Sequence, residues 1–416
     1  MAYPLPELLA PAGDEERLVS AIEYGASAVY LGADKFGMRT AAASFAGDSL
    51  RKACEYAHAH GVKVHLTCNI LPRNHEVEEL PGFLEFAKDC GVDAFIITDL
   101  GVMKAAQKYA PGVDIHISTQ EGITNYAAAR YFYDCGAKRV VTARELSLEE
   151  IAQIRAKTPA ELEIECFVHG AICVSFSGRC LLSNYLTGRD SNAGDCAQPC
   201  RWKYALTEEK REGEYFPVEQ DNRGTYIMNS RDMCMIEHIP ELYEAGVGSF
   251  KIEGRAKSAY YTAVTVNAYR CALDAFEKSG FAGDFRPEKW MVDELYKISH
   301  REYCTGFYFS SPLDDAQIYY EGGYVRRWDV AAVAGKCENG ILYGEQRNRF
   351  FEGDELEVMP KGAQPYMITV RNLRNGEGEP VDSAPHPVMK FSFSCDRDVP
   401  PGAYLRKLRT DEDPKG

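Results

Sequence analysis

Five times in the first 254 residues a helical stretch closes on a small residue and glycine, and an apolar strand follows at once. The instances are YGASAVYLG (24–32), HGVKVHLTCN (60–69), CGVDAFIITD (90–99), CGAKRVVTAR (135–144) and AGVGSFKIEG (245–254). Glycine suits that junction because the residue closing a helix often turns left-handed, a conformation that a Cβ disfavours. The strands show no polar alternation, the pattern of parallel strands covered on both faces. ELLAPAG (7–13), VDIHISTQ (113–120) and LEIECFVHG (162–170) bring the strands to eight. Helical segments are expected near 14–24, 48–60, 77–90, 101–109, 124–135, 147–157, 231–245 and 257–278. Eight β/α units in about 270 residues describe an α/β protein with a TIM-type (β/α)8 barrel. The rival, an open doubly wound sheet, lacks its GxGxxG turn after the first strand.

A barrel of this kind gathers its strand ends at one mouth, where active sites form. The polar groups at those ends are Asp34, Arg39, Asn69, Asp99, Gln120, Arg144, Glu145, His169, Glu253 and Arg255. Each taken singly is equally a loop capping group; together they mark a candidate site. Beyond residue 280 the pattern changes: 281–327 reads as a helical connector, 328–410 as short strands with Asn-Gly, Glu-Gly and Pro-Gly turns, and 411–416 as a tail. Such spacing indicates a small antiparallel β-barrel. It holds no clustered acid, base or thiol groups, which suits docking or packing.

The segment 165–204, ECFVHGAICVSFSGRCLLSNYLTGRDSNAGDCAQPCRWKY, interrupts the barrel after the seventh strand as an insertion over 170–228. Cys173, Cys180, Cys196 and Cys200 fall within 28 positions, and Cys234 follows, opening the helix expected after Asn229-Ser230. The first residues, MAYPLPELLAPAGDEER, lack a basic region leading into an apolar core, and no run nears the 18 to 20 apolar residues of a membrane span. A cytoplasmic protein with reduced thiols is expected, so the clustering points to a metal centre and away from disulfides. Structural zinc usually takes two tight CxxC-type pairs, whereas here the one close pair is CxxxC. Irregular spacing suits an iron–sulfur cluster assembled from loops. Zinc, and thiols merely packed in a loop, are the alternatives. A nucleophilic cysteine beside His169 is a further one, although no cysteine-protease signature and no GxSxG surround it.

The net charge of −15 argues against general affinity for nucleic acid, since phosphate binding needs local Lys and Arg. A folded RNA docking on a local basic patch is compatible with it. Arg201-Trp202-Lys203, Arg326-Arg327 and Arg406-Lys407-Leu408-Arg409 are the candidates, against ordinary solvated charge.

The run ECFVHGAICVSFSGRCLLSNYLTGRDSNAGDCAQPCRW, with ELLAPAG, AVYLGAD, TAREL and FKIEGR in matching order, resembles the collagenase-like peptidases of undefined catalytic type, the U32 type. The similarity spans nearly the whole chain, and the C-terminal module is similar to the translation-factor-like barrel of long members. The resemblance implies either a peptidase or an iron–sulfur protein of oxygen-independent hydroxylation. Length and C-terminal module favour the branch that forms 5-hydroxyuridine at the tRNA wobble position using prephenate; related members hydroxylate ribosomal RNA cytidine or act in ubiquinone synthesis. It implies a 4Fe-4S cluster on Cys173, Cys180, Cys196 and Cys234, with Cys200 as the alternative ligand. The implied partners are tRNA, a small dicarboxylate and a homologous partner subunit.

The residues favour hydroxylation over peptide hydrolysis, because a hydrolase needs an activated nucleophile or a metal-bound water and no HExxH or GxSxG is present. Arg39, Arg144 and Arg255 are the candidate dicarboxylate clamp, with Asn69 and Gln120 as further substrate contacts. Glu145, His169 and Glu253 are the candidate proton-transfer groups. Arg201, Lys203, Arg326 and Arg327 are the candidate RNA contacts. A cluster-stabilised RNA-binding or scaffold protein is the third reading.

Overall fold

The computed structural model describes residues 3–38, 45–173, 175–176, 179–191, 195–201, 229–309, 317–318 and 324–409, with short backbone pieces between 206 and 226. Eight parallel strands close into the expected TIM-type barrel: β1 (Glu7–Pro11), β2 (Ala28–Gly32), β3 (Lys63–Cys68), β4 (Ala94–Ile97), β5 (Asp114–Ile117), β6 (Arg139–Val141), β7 (Glu163–Ala171) and β8 (Ser249–Ile252). Each strand pairs with the next, and β8 pairs with both β7 and β1 to complete the ring. The outer layer is α1 (Glu15–Glu23), α2 (Asp48–Ala59), α3 (Leu80–Asp89), α4 (Leu100–Tyr109), α5 (Tyr126–Asp134), α6 (Leu148–Lys157), α7 (Ile239–Glu244) and α8 (Ala259–Lys278).

Local chemistry explains these boundaries. The five junction glycines, Gly25, Gly61, Gly91, Gly136 and Gly246, all have positive φ, between 71° and 102°, so the opening motif is a repeated left-handed helix exit. Helices start on side-chain caps. Asp14 accepts from the Arg17 amide, Ser258 from that of Tyr261, and Ser147 closes a capping box with Glu150. Asp99 accepts from the Val102 amide to start α4, so this strand-end carboxylate serves a helix. No helix among the described residues is long and apolar enough to cross a membrane.

One expected element is different. The segment 231–245 begins as a strand, not a helix: Asp232–Cys234 runs antiparallel to the top of β7, in the register Asp232↔Ala171, Met233↔Gly170 and Cys234↔His169. It also pairs in parallel with Tyr303–Cys304. The reason is that β7 is nine residues long and outruns its barrel neighbours. Its unpaired backbone groups need a partner, which this strand supplies. Cys234 therefore ends a strand and does not open a helix.

The C-terminal module is a curled antiparallel sheet of seven strands. In chain order they are β9 (Trp328–Glu338), β10 (Ile341–Gln346), β11 (Glu355–Met359), β12 (Tyr366–Thr369), β13 (Arg371–Asn375), β14 (Lys390–Ser394) and β15 (Tyr404–Leu408). Across the sheet the order is β12, β11, β15, β9, β10, β14, β13. The two outermost strands are consecutive in the chain with only Val370 between them, which forces the sheet to curl around its core of Leu342, Leu356, Phe391 and Phe393.

This sheet is fastened to the barrel by a buried ion cluster. Arg406, on β15 and 0% exposed, donates to both carboxylate oxygens of Glu294 at 2.6 and 2.7 Å and to Glu357 at 2.8 Å, and also to the Tyr260 hydroxyl at 3.0 Å. Glu294 belongs to the short helix α9 (Lys289–Leu295), and Tyr260 to α8. Removing one partner from such a cluster strands buried charge. Arg406→Ala is expected to lower unfolding free energy by about 3 kcal/mol, read as a shifted urea midpoint; an unshifted midpoint contradicts this role.

Candidate active site at the barrel mouth

Two guanidinium groups lie where the strands end. Arg255, just past β8 and 5% exposed, donates through Nη1 to Thr67 Oγ1 on β3 at 2.9 Å. Its path crosses the end of β2 at Gly32, where a Cβ would sit 2.5 Å from Nη1. Glycine there gives the guanidinium its place. Arg144, after β6, lies flat on Phe167 with its Cζ 3.8 Å from the ring centroid, and donates to the Ala171 carbonyl at 2.9 Å.

Glu253 connects the two sides. Its Oε2 is 3.8 Å from Arg144 Nη2 and 3.4 Å from the Tyr30 hydroxyl, which also donates to the Ile252 carbonyl at 3.0 Å. Beneath it the Lys251 ammonium lies 4.7 Å from the Tyr30 ring centroid and is held by Glu165 at 2.7 Å. Across the mouth, Asn69 and Gln120 join a polar network. Thr98 Oγ1 reaches the Asn69 carbonyl at 3.4 Å and Gln120 Oε1 at 3.5 Å, while Asn69 Oδ1 accepts from the Met38 amide at 3.1 Å. Asn69 Nδ2 lies 3.5 Å from Ser118 Oγ. Glu145 follows Arg144 on the loop and is half-buried. Arg39 lies outside the described residues.

The structure therefore places Arg144 beside Glu253, Arg255 against Thr67, and Asn69 and Gln120 in one network through Thr98. His169 is buried. Its ring is 1% exposed and packs among Tyr303, Tyr269 and Tyr261, at centroid distances of 5.3, 5.6 and 6.0 Å. Two of these rings are on α8. The backbone register shifts between Lys251 and Ile252 beside it. Burial pushes its pKa down to about 3. Both ring nitrogens are buried with no hydrogen-bond partner among the described residues.

Residue type at strand ends located the arginines and Glu253 but missed Tyr30, Thr67, Thr98, Ser118, Phe167 and Lys251. Tyr30, Thr67, Phe167 and Lys251 sit within the strands themselves, where a long apolar run hides the inward alternation.

The cysteine insertion stands next to this mouth: Arg179 pairs with Glu121 at 2.9 Å, just beyond Gln120. Cys180 Sγ accepts from the Leu182 amide at 3.3 Å, and Cys196 Sγ from the Gln198 amide at 3.4 Å. Amides aimed at sulfur favour thiolate and tune a bound cluster, so the donor chemistry fits one. Cys173 is exposed, and Cys200 is close enough to Arg301 to influence its charge. Burial pushes the Cys234 thiol up to about 12, so ionising it calls for a cation. Among the described residues no three His, Cys, Asp or Glu side chains are grouped so as to hold a metal ion. The five sulfurs thus share one region without forming a closed ligand set.

Of the expected RNA contacts, Lys203 and the side chain of Arg201 lie outside the described residues. Arg326 pairs with Asp329 at 2.6 Å, and Arg327 is exposed.

Residues 13–318 match the model of Peptidase family U32, and residues 326–406 match that of the Peptidase family U32 C-terminal domain. The chain is similar to tRNA hydroxylation protein P1 of Bacillus subtilis (strain 168), 34% identical over 97% of this chain and 94% of that protein. It is 36% identical to tRNA hydroxylation protein P of Escherichia coli (strain K12), over 91% of each. A 23S rRNA 5-hydroxycytidine synthase of the same strain is 36% identical over 71% of this chain and 44% of that protein. The chain belongs to peptidase family U32.

Proposed function

We propose that this protein is a tRNA hydroxylase forming 5-hydroxyuridine at the wobble position, with a prephenate-like dicarboxylate as oxygen donor and a 4Fe-4S cluster held by Cys173, Cys180, Cys196 and Cys234. The observation that carries the reading is Arg144 beside Glu253, with Arg255 at the ends of the neighbouring strands, in a chain whose relatives are named for tRNA hydroxylation. Guanidinium forks bind carboxylates in two-point fashion, and exclusion of water strengthens the attraction.

In this mouth Arg144 and Arg255 hold the dicarboxylate, with Phe167 as the apolar plate that fixes the Arg144 plane and displaces water. Glu253, between Arg144 and the Tyr30 hydroxyl, takes up or returns a proton. Asn69 and Gln120 offer amide groups to a base entering from the opposite side. The cluster, when bound, supplies one-electron chemistry. The peptidase reading is weaker because His169, the histidine nearest the cysteine segment, is sealed among tyrosines.

Two measurements test this. A deletion strain should lose wobble 5-hydroxyuridine from its tRNA nucleosides and regain it with the wild-type gene; unchanged nucleosides would refute the activity. Anaerobically purified protein should be brown with about four irons per chain, reduced in the Cys180→Ser variant. Colourless protein holding one zinc would refute the cluster.

A further inference from the structure

A groove of about 1040 Å³ runs over the outer face of the C-terminal sheet, across β9, β10, β14 and β13. Strand alternation builds it. Leu342, Phe391 and Phe393 turn into the core, while Tyr343, Ser392 and Ser394 face out. Its floor is low because its lining includes Gly335 and the two serines. Long side chains stand around this floor: Lys336, Arg347, Arg374 and Lys390, against Glu345 as the single carboxylate of the lining.

The surroundings sharpen the contrast. Residues 328–409 contain 11 Lys and Arg against 12 Asp and Glu, in a chain with 47 against 62. The sheet thus carries almost none of the excess negative charge. Glu345 binds both Arg347 and Lys390, Lys336 pairs at 2.9 Å with Glu338 outside the groove, and Arg374 donates to the Gly378 carbonyl at 2.7 Å. Such exposed pairs are weak and exchange readily for another anion. Beside Lys336, its ammonium 5.1 Å from the ring centroid, Tyr343 is 39% exposed on a strand that supports it from below.

We propose that this groove is a docking surface for RNA, with backbone phosphates along Lys336, Arg374 and Lys390 and one unpaired base stacked on Tyr343. A shallow floor lets the backbone approach, cations at the edge follow its phosphates, and an exposed aromatic ring takes a base face. An acidic protein surface would use the cations but has no need of the adjacent ring. The proposal rests on the reading that the substrate is tRNA, and it names residues of the C-terminal module rather than Arg201, Lys203, Arg326 and Arg327.

The test uses full-length protein and a tRNA transcript, with affinity measured between about 50 and 200 mM salt. The triple variant Lys336→Gln/Arg374→Gln/Lys390→Gln should bind on the order of 100-fold more weakly, with a salt slope shallower by about 2. Tyr343→Ala should cost about tenfold with the slope unchanged. Glu345→Gln, which frees two cations, should bind several-fold more tightly, an outcome that misfolding cannot produce. Binding within twofold of wild type for the triple and Glu345→Gln variants overturns the proposal, as does a wild-type protein that retains no tRNA or one whose groove captures only acidic protein. Nucleosides from the complemented deletion strain separate the two readings. Restored hydroxyuridine with unaltered tRNA binding by the variants removes the groove alone, whereas groove-dependent binding with unchanged nucleosides removes hydroxylation alone.

Discussion

Arg139→Ala should destabilise the barrel by about 5 kcal/mol at neutral pH, and part of that loss should be recovered on acidification. Arg139 opens β6 at the end of the barrel opposite the mouth and is 4% exposed. It holds Glu7 at 2.6 Å, Glu163 at 2.6 Å and Glu165 at 2.8 Å, the last shared with Lys251 at 2.7 Å. Burial alone would raise the Glu7 carboxyl, but the Arg139 guanidinium outweighs it and holds the pKa at about 2, below the ordinary 4.5. Burial likewise opposes Glu165, and Lys251 with Arg139 overcomes it. A depressed carboxyl stabilises the fold above its unfolded pKa and ceases to as pH falls through its folded one. Wild-type protein should therefore lose about 3 kcal/mol from Glu7 between pH 4.5 and 2. Without Arg139 the sign reverses, because the stranded carboxyls are then raised by burial and take up protons on folding. Urea midpoints for both proteins between pH 7 and 2 read this directly, and a variant that weakens in parallel with wild type would dismiss the cluster as the support of the barrel floor.

The barrel was legible because its signal is local and repeated. A left-handed glycine at the helix exit and an uninterrupted apolar strand need only neighbouring residues, so the eight strands and most helix limits follow from the chain itself. The site was legible in part. Arg144, Glu253 and Arg255 were exposed to inspection because they stand just beyond their strands, whereas Tyr30 and Thr67 are polar groups within apolar runs and acquire meaning only when the ring closes. The burial of His169 was hidden for the opposite reason. It stands at a strand end, yet its surroundings come from Tyr261, Tyr269 and Tyr303, about 90 to 130 residues away in the chain, and no local pattern reports them. The strand Asp232–Cys234 was invisible likewise, since three residues carry no period and form a strand only because β7 overruns its neighbours.

Arg255→Met should lower kcat/KM for tRNA hydroxylation on the order of 10²- to 10³-fold, the effect of losing one partner of a buried charged contact. Arg255 reaches across the strand ends, donating to Thr67 at 2.9 Å with Gly32 beneath it. Because the side chain is nearly buried, a collapse of the fold is the competing explanation, and Gly32→Ala separates the two. The added methyl would lie 2.5 Å from Nη1, the movable end of a flexible side chain, so it should displace the guanidinium with little loss of stability. If Arg255 binds the oxygen donor, Gly32→Ala raises the KM for that donor at least about tenfold, 1.4 kcal/mol, while the KM for tRNA stays put. Thr67→Val should move the same constant by less, since it removes the anchor and leaves the charge. Equal changes in both KM values, or a full-activity Arg255→Met protein, would move the donor site away from this side of the mouth and leave Arg144 and Glu253 to be tested by themselves.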